Sequence, residues 1–376
     1  MRYFIVAGEA SGDLHGSNLV RGISDADPGA EVYCWGGDLM EKAGAELLMH
    51  YRKNAFMGFL NVMLHLPSVI SNLRLCKKQL TSLRPDAVIL IDYPGFNLRM
   101  ARYARRNGFK VLYYISPKLW AWNESRVKII KKYVDRMFII FPFEKEFYSK
   151  HGIEVSYYGN PLTDEIDKFR NSFISSRNDH SSVITEGNGS PIIALVPGSR
   201  LQEVRYILPE MLKVIPFFPE YTFIITATWN IPSRVYEDLT RDYPVKTEYG
   251  RTYEILSMSE AALVKSGTST LEAALLGVPQ VVCYKGDAVS FFIARRLVKV
   301  KYISLVNLIL GREAVKELIQ HLLTGSNLVA SLKEILPGGK ERERMLKDYD
   351  EIKQILGPAG ASQRIASEMV SFLRKK

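Results

Sequence analysis

Apolar runs of about five residues, separated by stretches whose apolar positions recur at helical spacing, organise the first half of the chain. Tyr3–Ala7, Glu31–Trp35, Ala87–Asp92, Val111–Ile115 and Met137–Phe141 predict β-strands, being β-branched or aromatic and bounded by Gly, Pro or charge. Asn97–Asn107 and Ser125–Val134 predict helices between them. Strands apolar along their whole length, rather than at every second position, are buried on both faces, so the alternation implies a parallel sheet between layers of helix. Residues 171–190 break the rhythm: Ser, Asn, Gly and Asp dominate, and the segment reads as an exposed linker or disordered insertion. From Pro191 the rhythm resumes, with strands expected at Ile192–Val196, Thr222–Thr226, Ala261–Val264 and Gln280–Cys283. The tail from Glu313 to Lys376 reads as mostly helical. The predicted fold class is α/β: two Rossmann-like, doubly wound domains, 1–170 and 191–357, joined by 171–190.

Length agrees, since 376 residues exceed the roughly 100–200 of one ordinary domain. The formal charge of +10 fits three partners: nucleic acid, an anionic membrane surface or phosphorylated substrates. The basic clusters serve equally well as solvated helix faces. Cys34, Cys76 and Cys283 are far apart and odd in number, without a CxxC pair. Met1 leads straight into a strand, so no secretory leader and a reducing cytoplasm are expected. No run of about 18 apolar residues predicts a membrane-spanning helix.

In open α/β sheets ligands bind beyond the carboxyl ends of the strands, so chemistry is sought in the loops that follow them. Gly8-Glu9-Ala10-Ser11-Gly12-Asp13 is neither GxGxxG nor a P-loop. It serves either as a tight strand–helix turn or, through Glu9, Ser11 and Asp13, as an acceptor-side site. Asp92, opening Asp92-Tyr93-Pro94-Gly95-Phe96-Asn97 after a buried strand, is either a turn residue or a base for an attacking hydroxyl. Ser116-Pro117-Lys118-Leu119-Trp120-Ala121-Trp122 offers aromatic faces for a sugar or acyl chain, or for the core.

In the second half, Pro197-Gly198-Ser199-Arg200 opens a helix after a strand. Ser199 and Gln202 have capping-box spacing, and a helix N-terminus with an arginine suits a diphosphate. Ser266-Gly267-Thr268-Ser269-Thr270-Leu271-Glu272 repeats the pattern: Ser269 and Glu272 have capping-box spacing, Ser266, Gly267, Thr268 and Ser269 suit a pyrophosphate, and Glu272 suits a ribose diol. The six histidines lack metal-ligand spacing, and Asp25–Asp27 and Asp348–Asp350 read as surface acids, so neither a metal nor a cofactor is expected. Residues 55–70 form an apolar stretch that suits a core helix or one dipping into a bilayer.

These motifs, in this order, resemble the lipid-A-disaccharide synthase family of glycosyltransferases. The likeness runs from GEASGD through DYPGFN, YYISPKLWAW, FPFEKEFY, GNPL, PGSR and SGTSTLEAALLGVPQVVCYK to RRLVKVKYISLVNLILGRE, leaving only 171–190 unassigned. It implies a GT-B fold, with two Rossmann-like domains facing across a cleft and the C-terminal helix, 358–376, returning to the first domain. It implies UDP-2,3-diacylglucosamine as donor and the 6-hydroxyl of 2,3-diacylglucosamine 1-phosphate as acceptor. The products are a β-1,6-linked disaccharide 1-phosphate, formed with inversion, and UDP. Asp92 is the implied general base, Arg200 the diphosphate contact, Glu272 the ribose contact and Asn307 a donor-cleft residue, with Glu9 on the acceptor side. Many relatives carry a second acid where this chain has Gly95, so Asp92 alone is carried over. The partners implied are the two acylated sugars and, through residues 55–70, the cytoplasmic face of the inner membrane of an outer-membrane-bearing bacterium. Nucleic acid is not implied, and a homo-oligomer is compatible. The alternatives are another GT-B UDP-sugar enzyme, such as a 2-epimerase or peptidoglycan-type transferase, and a non-catalytic lipid- or nucleotide-binding module.

Overall fold

The computed structural model describes residues 1–53, 66–122, 124–178, 189–287, 291, 292, 296 and 300–375. The chain divides into two units: Met1–Asp164 together with the residues from Pro358 on, and Glu165–Gly357.

In the N-terminal unit β1 (Arg2–Ala7), β2 (Glu31–Gly36), β3 (Glu46–His50), β4 (Ala87–Ile91), β5 (Lys110–Tyr114), β6 (Arg136–Ile139) and β7 (Val155–Tyr157) form one sheet. Their order is β3-β2-β1-β4-β5-β6-β7, and every pairing is parallel. The fully apolar strands have a direct cause. In β1, Tyr3, Ile5 and Ala7 enter one core with Leu19, Ile365, Ala366 and Met369. Phe4 and Val6 enter the other with Leu80, Met100, Ala104 and Ile130. A strand whose alternate residues face two cores has no position left for a polar side chain. The last helix, Ala361–Arg374, belongs to the first of these cores. Its opening N–H groups are capped from afar: Asp164 accepts from Gly360, Ala361 and Ser362 at 2.7–2.9 Å. Gly22 lets the helix Ala10–Ala26 lie against it, since a Cβ there would stand 2.8 Å from the Ala366 methyl.

The second unit contains β8 (Ile192–Val196), β9 (Thr222–Ala227), β10 (Val245–Tyr249), β11 (Ser259–Lys265), β12 (Gln280–Tyr284) and β13 (Lys316–Ile319). These also pair in parallel, in the order β10-β9-β8-β11-β12-β13.

One expectation is corrected, and the mostly helical tail gains one strand. Residues 171–178, read as part of a linker, continue the helix Pro161–Asn178, in which Phe169 and Phe173 stack one turn apart at 5.2 Å. Of that expected linker, 179–188 lie outside the described residues. The tail contains a strand, β13, ahead of its helices Gly325–Ile335, Arg342–Leu356 and Ala361–Arg374.

Candidate active site

A doubly wound sheet has a crevice where its strand order reverses, because the loops on either side lead to helices on opposite faces. In the N-terminal sheet the reversal falls between β1 and β4, where Ala7 pairs with Ile91. The loops leaving these strands carry Glu9 and Asp92. In the second sheet it falls between β8 and β11, where Val196 pairs with Val264. Those loops carry Pro197–Arg200 and Ser266–Thr268.

Asp92 sits on strained backbone. Its φ is 42° and that of Tyr93 is 46°, the left-handed region that non-glycine residues seldom occupy. Strain of order 1–3 kcal/mol per residue persists only where surroundings enforce it. Here they do: the Asp92 carbonyl accepts from Tyr113 Oη at 2.6 Å and from Asn97 Nδ2 at 2.9 Å, while its N–H donates to Tyr114 O at 3.1 Å. Pro94 then starts the helix Pro94–Arg106, where its fixed φ suits the first turn. The Tyr93 ring lies against Gly8, and a Cβ on Gly8 would stand only 2.3 Å from it. The GEASGD and DYPGFN loops therefore interlock, and the glycine makes this possible.

The half-buried Asp92 carboxyl is pushed up to about 6 by burial, held back by Lys118 and raised further by Glu9. The structure thus brings Glu9, Asp92 and Lys118 together from the loops after β1, β4 and β5, three adjacent strands. Sequence reading placed Glu9 and Asp92 here but gave Lys118, Tyr113 and Asn97 no role. Asn97 is buried, which its place in the first helical turn after Pro94 does not disclose.

Asp13 is a correction. Its buried carboxylate accepts from Gly37 N at 2.8 Å, Met40 N at 3.1 Å and Leu39 N at 3.1 Å. It caps the short helix Asp38–Lys42 rather than facing an acceptor. Ser11 is exposed at the start of its helix.

The SPKLW loop is anchored by a residue the sequence reading passed over. Glu144 is fully buried and accepts from Ser116 Oγ, from Trp120 Nε1 at 3.1 Å and from Phe141 N at 3.1 Å. Burial pushes its carboxyl up to about 7 against these donors. Trp120 is thereby committed to the loop, edge-on to Phe143 at 5.0 Å.

In the second unit, the helix Leu201–Leu212 has Arg200 as its N-cap, and Glu203 accepts the Arg200 backbone N–H at 3.3 Å. The capping pair is Arg200 and Glu203, one residue on from the expected Ser199 and Gln202. Ser199 and Arg200 are exposed beside it. Asn230, from the loop after β9, donates to Ser199 O at 2.7 Å. Its neighbour Trp229 is 79% exposed and lies on Tyr249, with ring centroids 4.8 Å apart.

The helix Thr268–Leu276 is capped by Gly267, so Ser269 and Glu272 are not its capping box. The first N–H groups of a helix have no partner inside it, which leaves those of Gly267, Thr268 and Ser269 suited to an anion. Thr268 is exposed and Ser269 half-buried, whereas Ser266 Oγ donates to Ile303 O at 2.9 Å and supports the loop. Glu272 accepts from Tyr253 Oη at 3.1 Å. Burial raises its carboxyl, and the hydroxyls of Tyr253 and Ser269 pull it back.

Asn307 is a second correction. It is fully buried, and Ala314 N, Val315 N, Val315 O and Glu317 use its amide at 2.8–2.9 Å. Glu317 in turn accepts from Ile303 N, Ser304 N and Ser304 Oγ. Asn307 therefore secures the loop that carries Ile303, the partner of Ser266, and has no amide atom left for a donor. The acids read as surface groups also have structural work. Asp27 pairs with the N-terminal ammonium and Arg374, and Asp348 pairs with Arg312 and Arg344.

Two Rossmann-like units, one with a half-buried carboxyl at its reversal point and one with helix N-termini and Arg200 at its own, fit the GT-B class of sugar-transferring enzymes. Solved structures share the fold. A UDP-GlcNAc 2-epimerase from Neisseria meningitidis, bound to UDP-GlcNAc, matches with a TM-score of 0.68, covering 99% of this chain and all of that one at 15% identity. The glycosyltransferase of kitacinnamycin matches with a TM-score of 0.65, covering 99% and 98% at 13% identity. Sequence narrows the class. Residues 3–369 match the family model described as lipid-A-disaccharide synthetase. The lipid-A-disaccharide synthase of Syntrophus aciditrophicus is 37% identical over 99% of this chain and 97% of its own length. That of Geobacter sulfurreducens is 35% identical over 100% and 98%. The chain belongs to the lipid-A-disaccharide synthase family and is a glycosyltransferase of lipid A biosynthesis.

Proposed function

We propose that the chain moves 2,3-diacylglucosamine from UDP to the 6-hydroxyl of 2,3-diacylglucosamine 1-phosphate, with Asp92 as general base. The half-buried carboxyl of Asp92, held on strained backbone at the sheet reversal, carries this reading. A carboxyl near 6 accepts a proton more readily than an ordinary one and is still ionised at neutral pH. In a single displacement the acceptor oxygen bonds to the anomeric carbon, its proton passes to Asp92, and the electron pair of the breaking C–O bond leaves with UDP. The configuration inverts. Arg200 and the N–H groups of Gly267, Thr268 and Ser269 offset the growing charge on UDP. Glu272 accepts from the ribose hydroxyls in place of Tyr253.

Purified protein incubated with donor and acceptor should yield UDP and a disaccharide together. UDP release without acceptor indicates a 2-epimerase or hydrolase, and binding without release a non-catalytic module.

Both substrates are acylated, and the N-terminal unit has a face suited to the membrane that holds them. The helices Leu66–Leu83, Pro94–Arg106 and Val127–Tyr133 contain ten Lys and Arg and no acid, matching the chain's whole formal excess of +10. The middle helix packs against both others, and all three cover the same core. Ile70 and Leu75 are exposed on the first. Each cation near an anionic bilayer contributes about 1 kcal/mol. Most of the expected apolar contact, 55–70, lies outside the described residues, and among those described no helix is long and apolar enough to cross a membrane. The protein should sediment with phosphatidylglycerol vesicles but not phosphatidylcholine vesicles, and replacing Arg102, Arg106 and Lys132 with Glu should abolish this.

A further inference from the structure

A diphosphate carries more charge than one exposed arginine offsets, and a second cation stands at the same reversal point. Lys265 is the last residue of β11, immediately before Ser266-Gly267-Thr268. Its Nζ lies 2.7 Å from Glu203 Oε1 and 3.6 Å from where a Cβ on Gly267 would stand. The same Glu203 oxygen is 3.8 Å from an Arg200 guanidinium nitrogen, and the other accepts the Arg200 N–H. One carboxylate thus ties together two cations, one from the loop after β8 and one from the end of β11. Gly198 makes room for it, because a Cβ there, at a φ of 110°, would strike the Glu203 side chain. Two cations and the positive end of the helix Thr268–Leu276 thus meet at this crevice, which suits an anion.

We propose that Lys265 is a second phosphate-binding residue for a nucleoside diphosphate. It rests on the reading of this unit as the UDP site. Its ammonium bonds a β-phosphate oxygen of the bound donor. As the bond from the anomeric carbon to that phosphate breaks, the electron pair passes to the phosphate oxygen, and Lys265 shares with Arg200 the charge that develops there. Glu203 holds the ammonium in register and competes with the phosphate for it. The two partners of this ion pair therefore act on affinity in opposite directions, which a purely structural pair does not do.

Calorimetric titration of the full chain with uridine, UMP and UDP tests this. Lys265→Met should leave uridine binding unchanged and weaken UDP binding about 10–100-fold, the effect of losing a hydrogen bond to a charged group. Lys265→Arg should retain most of the affinity. Glu203→Gln keeps an acceptor for the Arg200 N–H, frees the ammonium, and should bind UDP as tightly as wild type or more so. The proposal fails if Lys265→Met leaves UDP affinity unchanged while Arg200→Ala lowers it. It also fails if Lys265→Met and Glu203→Gln weaken UDP alike, or if Lys265→Met weakens uridine and UDP equally. A wild-type chain that binds UDP no more tightly than uridine overturns the underlying site reading instead.

Discussion

Replacing Asp92 with Asn should make the protein less active and more stable at once, and the structure sets the size of both effects. The activity arm follows from chemistry: an amide cannot take a proton from the acceptor hydroxyl, and loss of a positioned general base costs about 10²–10⁴ in rate. The stability arm follows from burial. Raising the carboxyl from its ordinary 3.8 to about 6 makes its ionised form about 3 kcal/mol less favourable in the folded protein, at roughly 1.4 kcal/mol per tenfold change in proton affinity. Partial exposure brings the expected effect to about 1–2 kcal/mol. The folded state holds this proton more tightly than the unfolded one, so the group's stabilisation is complete below about 3.8, is lost as pH rises to about 6, and changes little beyond. Asn has no proton to lose. Its advantage over wild type should be absent near pH 4 and full by pH 8, and urea denaturation at several pH values measures it. The wild-type kcat/KM should rise through a limb near pH 6, and the Asn variant should lack that limb. Turnover within tenfold of wild type at pH 8 would refute the base assignment. A stability difference that is flat or reversed with pH would refute the burial argument, whatever the activity.

Gly8→Ala should displace the Tyr93 ring and with it the strained turn, lowering kcat/KM more than about tenfold while leaving UDP affinity intact by calorimetry. Asn307→Ala removes an amide with four buried partners and should lower stability by about 2–4 kcal/mol in urea, without the selective loss of UDP over uridine binding expected of a phosphate contact. Gly95→Asp introduces the second acid that the family resemblance implies at this position. Gly95 is exposed, with open space around its Cβ position in the first turn of its helix, so the variant should fold and gain about 0.5–1 kcal/mol by thermal denaturation.

The interior of each sheet was legible in the sequence and the edges were not. All nine strands expected from apolar runs, β1, β2, β4, β5, β6, β8, β9, β11 and β12, lie inside the sheets. All four that were missed, β3, β7, β10 and β13, are the edge strands. An interior strand has helices on both faces and a neighbour on both sides, so its sequence is continuously apolar. Edge strands are half-exposed here, as in Glu46–His50 and Val245–Tyr249, and their mixed sequences match no strand template. Site residues divide in a similar way. Asp92, Glu9, Arg200 and the Gly267 loop could be singled out as candidates because they follow recognisable strands. Asp13 and Asn307 share those neighbourhoods and residue types, but their polar atoms turn back onto the chain's own backbone. Only coordinates separate a polar group aimed outward from one aimed inward. Lys265 and Glu203 were passed over because their pairing joins a strand end to a helix more than 60 residues away in sequence.

Under the proposed mechanism the two reversal points do complementary work, and their residue types suit it. An attacking hydroxyl needs a base of raised proton affinity, and half-burying a carboxyl on a strained turn supplies one at the expense of stability. A departing diphosphate needs positive charge that is already in place, which in the proposed site comes from helix N-termini with Arg200 and Lys265, their charges offset by Glu203 until phosphate arrives. Neither device suits the other task. A carboxylate beside a leaving phosphate would oppose its departure, and a cation beside the acceptor lowers the base's proton affinity, as Lys118 does in part at Asp92. The position of that last lysine is therefore a compromise. Its charge draws the Asp92 carboxyl down while burial holds it at about 6, above its ordinary value, where it would be too weak a base to take the proton.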